Sequence, residues 1–260
     1  MLEINGETLS PRLIILDKDG TLIAFQAMWH TWFDRFLGYI GQQTELTLEA
    51  RIGLAGTLGY DPVDGDWDPL GPLTLASTGE VLLLTASQLY HYQGLAWDEA
   101  LDVVQRAERF AREILDDTSL LQTIGDVHSR LHEFTAAGYM LALVTTDTRA
   151  STRSHLDTLR LSEFFGAIVC GDDGIPLKPA PDMALEVCRR LQVDPSEAIM
   201  IGDSAMDMVM ARTAGLAAAI GVASGSMPGE TLASYADLVI ADIHAIEIRN
   251  GEVHDALSTL

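Results

Sequence analysis

Residues 14–22 read IILDKDGTL, and the fold turns on how this stretch is understood. Four apolar residues, Leu13, Ile14, Ile15 and Leu16, run without alternation into Asp17, Lys18, Asp19 and Gly20. A short unbroken apolar run that ends on polar residues and glycine is the pattern of a strand buried on both faces, as parallel sheets require. Its two terminal carboxylates stand two positions apart and repel each other unless a cation lies between or beside them.

Outward from this stretch, the chain has two textures. From residue 124 onward, helical runs alternate with short apolar strands. A helix reaches Ala137, and the strands YMLALV (139–144), AIVC (167–170), AIMIG (198–202), LAAAIGV (216–222) and ADLVIA (236–241) follow. Between them lie helices at about 148–161, 180–191 and 205–215. Strands separated by helices imply βαβ units and a parallel sheet covered on both faces. Residues 25–117 differ. QAMWHTWFDRFLGYI (26–40) and WDEALDVVQRAERFAREIL (97–115) place apolar residues such as Leu101, Val104, Ala111 and Leu115 at helical spacing, and the Asp-, Pro- and Gly-rich stretch 60–73 between them reads as a loop. The expected fold class is α/β, a doubly wound parallel sheet with an inserted all-helical cap domain. Residues 1–22 and 118–260 form the core in this division, and residues 23–117 the insert.

Bulk composition narrows the partners. A chain of 260 residues with 48% hydrophobic content supports a large buried core, and its net charge of −22 opposes binding to nucleic acid or to anionic membranes. The charge also suits a high-salt cytoplasm. The longest uncharged stretches, 81–97 and 213–229, are broken by polar residues or glycine, and Glu3 and Glu7 stand where a signal peptide would carry positive charge. A cytoplasmic protein is therefore expected, monomer or homodimer. Cys170 and Cys188 are the chain's two cysteines, which argues against a disulfide framework, and a zinc site cannot be built from them alone; both read as small buried residues. Lysine is rarer still relative to arginine, with only Lys18 and Lys178 present.

In an open parallel sheet, ligands bind outside the carboxyl ends of the strands. That rule selects Asp17, Thr145, Asp203 and the loop LKPAPD carrying Lys178. Together with Asp19, with Thr146 beside Thr145, and with Asp207 in GDSAMD (202–207), these residues describe a site for a divalent cation and a phosphoryl group. Carboxylates are hard oxygen ligands for Mg²⁺, which bridges to phosphate oxygens and cancels the repulsion between Asp17 and Asp203. Asp17 can then attack phosphorus and form an aspartyl-phosphate, while Asp19 serves as general acid and base. Thr145, Thr146 and neighbouring backbone N–H groups hold the phosphate oxygens, and Lys178 neutralises charge on Asp17 and the phosphoryl group. Each piece has a plainer interpretation: an Asp-Gly turn, a helix cap at Asp203 or Ser204, a threonine ending a strand, a stiff KPAP turn. Their arrival in order at successive strand ends favours the site.

These residues resemble the haloacid dehalogenase-like hydrolases, in the branch with a helical cap after the first motif, phosphoglycolate phosphatases among them. DKDGT looks like the first motif, Thr145 in LALVTTD the second, Lys178 in LKPAPD the third and GDSAMD the fourth, so the resemblance spans nearly the whole chain. It implies a Rossmann-like core, Asp17 as nucleophile, Asp19 as acid/base with a backbone carbonyl on Mg²⁺, Asp203 as metal ligand and Asp207 as a water-mediated partner. Asp19 favours a phosphate-ester hydrolase over a dehalogenase, which needs no acid there. The implied substrate is a small phosphorylated metabolite such as phosphoglycolate, with pyrophosphate and sugar phosphates open. A sugar-phosphate mutase shares the same aspartates. A phosphoacceptor receiver module, a signalling switch without turnover, needs about half this length and has no such insert.

Lys18 departs from the family pattern, which has an apolar residue there in many capped members. Its side chain alternates away from Asp17 and is expected under the following loop, with a share in charge balance as the sharper alternative. In the insert, Trp29, His30, Trp32 and Phe33 are expected mainly to pack. Arg106, Arg109 and Arg112 are expected to pair with Asp102, Glu113 and Glu108 on a solvated helix face, each four residues away.

Overall fold

The computed structural model describes residues 1–61, 67–113 and 121–249, and the backbone alone at residues 25–28. In chain order, β1 (Leu2–Ile4), β2 (Glu7–Leu9) and β3 (Leu13–Leu16) come first. Five helices follow: α1 (Phe25–Thr44), α2 (Leu48–Thr57), α3 (Pro72–Leu75), α4 (Thr78–Gln93) and α5 (Trp97–Arg112). Then come α6 (Val127–Ala136), β4 (Met140–Val144), α7 (Arg149–Thr158), β5 (Ala167–Val169), α8 (Asp182–Leu191) and β6 (Ala198–Gly202). The chain continues through α9 (Ala205–Ala214), β7 (Ala218–Val222), α10 (Gly229–Leu232), β8 (Leu238–Ile240) and β9 (Glu247–Ile248).

Six parallel strands form one sheet in the order β5-β4-β3-β6-β7-β8. β3 lies inside it, and every residue of β3 is fully buried. Period two divides that strand between two cores. Ile14 and Leu16 pack with Leu131 and Phe134 of α6 and Leu156 of α7, while Leu13 and Ile15 pack with Met183 of α8 and Met208 of α9. The chain winds outward from β3 to β5, then returns to β6 and winds the other way, so the order reverses beside β3, where a doubly wound sheet opens its crevice. Register sets the level: Leu16 pairs with both Leu143 and Ile201, which leaves the residues after β3, β4 and β6 at one edge.

Residues 22–24 run beside residues 122–124, with Ile124 N–H donating to Leu22 O at 3.0 Å and Ala24 N–H to Gln122 O at 2.8 Å. Helices α1 to α5 lie between these segments in sequence, and α5 packs along both α1 and α4. Leu115 and the boundary at 117/118 fall outside the described residues. In the expected loop at 60–73, the described residues 60–61 and 67–71 belong to no helix or named strand, and α3 begins at its end with Pro72, whose φ is already suited to a first helical turn. No helix among the described residues is long and apolar enough to cross a membrane.

A second sheet, β2-β1-β9, is absent from the expectations above. Its hairpin turns through Asn5 and Gly6, both at positive φ, the two-residue turn whose twist suits paired antiparallel strands. β9 closes the other edge of β1, with Leu2 opposite Ile248.

Candidate active site

Asp17 directly follows β3 and keeps the strand's ladder, its N–H donating to Ile201 O at 3.0 Å. Lys178 Nζ donates to Asp17 Oδ1 at 2.7 Å and lies 2.6 Å from Asp207 Oδ1. Asp203 follows β6, and its Oδ2 accepts from the Ser226 N–H at 2.7 Å and the Ser226 hydroxyl at 2.9 Å. Ser204 caps α9 and Asp207 completes the capping box, its Oδ2 accepting from Ser204 Oγ at 2.7 Å. The plain capping role foreseen for GDSAMD is thus real, and Asp207 holds it with one oxygen while turning the other to Lys178. That second oxygen has the ionic contact but no aligned hydrogen bond.

Asp17, Asp203 and Asp207 each offer a carboxylate oxygen within 4.8 Å of the others, and all three are buried. Set against them is the single ammonium of Lys178. An excess of buried negative charge, an unaligned buried oxygen on Asp207 and a donor set made only of carboxylate oxygens fit a hard divalent cation. The titration behaviour follows. Burial pushes Asp17 up to about 8, with Asp207 and Asp203 adding to the rise and Lys178 opposing it. Burial, then Asp207, raises Asp203 to about 6. Burial works against the Lys178 ammonium, but Asp17 and Asp207 hold its pKa above the ordinary lysine value. Gly20 and Gly225 let the chain close over Asp203, since a Cβ at either position would collide with its carboxylate; Gly20 also has a φ of +79°.

Asp19 contributes no side-chain oxygen to that cluster. Its carboxylate is held by Lys18, whose Nζ donates to Asp19 Oδ1 at 2.8 Å, lies 3.2 Å from Asp147 Oδ2 and sits 3.2 Å from His155 Nδ1. Lys18 is fully buried. Burial alone would depress its pKa, yet Asp19 and Asp147 raise it; Asp147, raised by burial, is carried below the carboxylate range first by Lys18 and then by Ser151. The lysine therefore lies beneath the loop, as expected from alternation, and ties the end of β3 to the loop after β4. Thr145 is buried and its Oγ1 accepts from the Asp147 N–H at 3.1 Å, whereas Thr146 is exposed.

All seven residues singled out from the sequence, Asp17, Asp19, Thr145, Thr146, Lys178, Asp203 and Asp207, line one cavity of about 1010 Å³. Its opposite wall comes from α1, α3 and α4. Of the four α1 residues singled out from the sequence, Trp29 and Trp32 line the cavity. His30 and Phe33 pack inward: His30 Nε2 accepts from Trp67 Nε1 at 2.6 Å, and the Phe33 ring meets Tyr60 edge-on at 5.0 Å between centroids. On α5, Arg106 pairs with Asp102 at 2.6 Å and Arg112 with Glu108, but Glu113 pairs with Arg35 of α1 at 3.5 Å rather than with Arg109. Spacing makes a pair available; packing of α1 against α5 decides it. Cys170 and Cys188 are buried and free.

Sequence analysis missed Ser226, Asp147 and His155. Ser226 follows β7 in ASGSMPG, a small-residue stretch at the same carboxyl edge, and Asp147 stands two residues past Thr145, so the strand-end rule reaches both. His155 carries no such signal.

Residues 11–215 match a family model described as haloacid dehalogenase-like hydrolase. The chain is 32% identical over 157 residues to pyrophosphatase PpaX of Bacillus velezensis, covering 60% of this chain and 71% of that protein. It is 29% identical over 147 residues to a plasmid-borne phosphoglycolate phosphatase of Cupriavidus necator, covering 56% of this chain and 64% of that protein, less than two thirds of the relative's length. Among solved structures, a predicted phosphoglycolate phosphatase from Haemophilus somnus superposes with a TM-score of 0.68 at 18% identity, covering 91% of this chain and 96% of that one.

Proposed function

The chain belongs to the haloacid dehalogenase-like hydrolase family, and on that premise we propose that it is a Mg²⁺-dependent phosphatase that hydrolyses a phosphomonoester through an aspartyl-phosphate on Asp17. In this proposal α1 to α5 form the cap, and residues 1–22 and 118–260 the core.

The observation that carries it is the pairing of Lys178 with Asp17 at 2.7 Å beside two further buried carboxylates. A lone ammonium leaves that cluster negative, and Mg²⁺ held by Asp17, Asp203, the Asp19 carbonyl and, through water, Asp207 would supply the missing charge and polarise the phosphoryl group. Asp17 then lies where an anionic phosphorus can approach it. One of its carboxylate oxygens forms a bond to phosphorus as the ester P–O bond breaks, and Asp19 gives the departing oxygen its proton. In the second half Asp19 takes a proton from water, the water oxygen bonds to phosphorus, and inorganic phosphate leaves Asp17 free. Thr145, Thr146 and Lys178 hold the phosphoryl oxygens throughout, which is where phosphoryl transfer gains most.

The test is direct. Protein with Mg²⁺ is expected to release phosphate from an aryl phosphate and to stop when EDTA is added. Borohydride trapping during turnover is expected to mark Asp17 alone; a label elsewhere, or activity indifferent to EDTA, refutes the proposal.

A further inference from the structure

The cavity above Asp17 has a polar floor and an apolar wall. Trp29, Leu73, Leu83 and Leu84 stand in that wall, beside Ser77, Thr78 and Glu80. Leu83 and Leu84 are 52% and 36% exposed, large aliphatic surface left facing the cavity rather than a core. A cavity of about 1010 Å³ is far larger than a phosphoryl group with a two-carbon acid requires, and falls in the range that encloses much larger organic molecules.

Charge on the wall is equally informative. Among the described residues, the cation that lines the cavity is Lys178, and its ammonium already faces Asp17 and Asp207. Lys18 is sealed beneath the floor. None of the arginines lines the cavity, and the sequence holds no lysine or arginine at residues 25–28, 62–66, 114–120 or 250–260. The ionised group on the wall is Glu80, whose carboxyl is held below its usual range first by the Ser77 N–H and then by its hydroxyl. The same Ser77–Glu80 capping box occupies the N-terminus of α4, so that helix end already has its anion. A second negative group on a substrate would meet Glu80 and no counter-ion.

Resting on the phosphatase proposal, we infer that the alcohol released here is uncharged with a largely apolar body, and that the cap wall discriminates against substrates whose leaving group carries a second anion, phosphoglycolate and pyrophosphate included. Burial of the alcohol's apolar surface against Trp29 and the exposed leucines supplies its affinity. Rejection of a second anion follows from desolvating a charge without a partner.

A matched pair of esters tests this. Hexyl phosphate and 6-phosphohexanoate have the same chain and differ in a terminal carboxylate. With the Mg²⁺-loaded protein, kcat/KM is expected to favour hexyl phosphate by about tenfold or more, with phosphoglycolate and pyrophosphate below both. Equal rates, or preference for any compound carrying the second anionic group, overturns the inference. Leu84→Arg places a cation on the wall at a partly exposed position and is expected to raise kcat/KM for 6-phosphohexanoate relative to hexyl phosphate. Leu83→Arg repeats the test should the first variant misfold, and failure of both folded variants to shift the preference counts against the inference. Should no ester be hydrolysed, the phosphatase proposal fails, and calorimetric binding of the same pair to Asp17→Asn protein with Mg²⁺ still decides between the two alcohols.

Discussion

Lys178, Asp203 and Asp207 on the cavity floor each have a partner at 2.7 Å or closer, Asp17, Ser226 and Ser204 respectively, whereas across the same cavity Leu83 and Leu84 stand 52% and 36% exposed. The floor is fixed before any substrate arrives. Asp17 and Asp203 directly follow strands locked in register, so their positions follow from the sheet. The wall comes from helices that pack on one another and present apolar surface waiting for a cover. The contrast assigns chemistry to the first region and selection to the second, and it predicts that substitutions in the two will fail differently.

The floor is expected to govern kcat for every substrate. Asp17→Asn removes the proposed nucleophile and should lower turnover by several orders of magnitude on aryl and alkyl esters alike, with an unchanged circular dichroism spectrum. Appreciable residual turnover would place the nucleophile elsewhere and break the contrast at its strongest point. Asp19→Asn should cost roughly 10²–10⁴-fold in kcat, with the larger loss on alkyl esters, whose poor leaving group needs the proton most. Equal losses on aryl and alkyl esters would argue that Asp19 acts only after the alcohol has left.

Lys18 stands between the two regimes, buried like a core residue yet bonded to Asp19. Lys18→Leu leaves the carboxylates of Asp19 and Asp147 without their common counter-charge, a change expected to cost about 3 kcal/mol of stability. If the lysine also positions Asp19, kcat on alkyl esters should fall further than kcat on aryl esters, measured well below the variant's Tm. A uniform fall would assign it to the fold alone. Smaller still, Leu84→Ala on the wall should raise KM for an apolar ester a few-fold, as expected for about 1 kcal/mol of lost burial, and leave kcat unchanged.

The same contrast explains what the sequence disclosed. Asp17, Thr145, Lys178 and Asp203 are legible because a buried parallel strand announces itself as an apolar run and its carboxyl end is then a fixed address. Ser226 was reachable by the same rule and was overlooked because serine among small residues carries no charge to draw notice. The hairpin at Asn5 and Gly6 was equally open, an Asn-Gly pair between short alternating segments, but strands of three residues give little periodicity. The wall was not legible. Nothing local separates Trp29 and Trp32, which line the cavity, from His30 and Phe33, which pack inward; only the placement of α1 against its neighbours does so. Arg109 teaches the same lesson, since Glu113 was within its reach by spacing and paired across helices with Arg35 instead.

The smallest expected effect concerns pH and tests the floor without catalysis. Asp17 is pushed from an ordinary 3.8 to about 8, and Asp203 to about 6. A carboxyl with a raised folded-state value keeps its proton in the folded chain after the unfolded chain has lost it, so the metal-free protein binds more protons folded than unfolded between about 4 and about 8. Its stability from these two groups is therefore greatest at the acidic end and declines as pH rises through that window. Mg²⁺ favours the ionised forms of both carboxylates, so its binding should release protons and its stabilising effect should grow in the same direction. The Mg²⁺-induced rise in Tm is thus expected to be larger at pH about 8 than at pH about 6, and the Asp203→Asn variant should show a smaller rise at both. A rise that is independent of pH would mean that these carboxylates are already ionised without the metal. The buried cluster would then have a counter-charge other than Lys178, and the case for a divalent cation on the floor would lose its electrostatic ground.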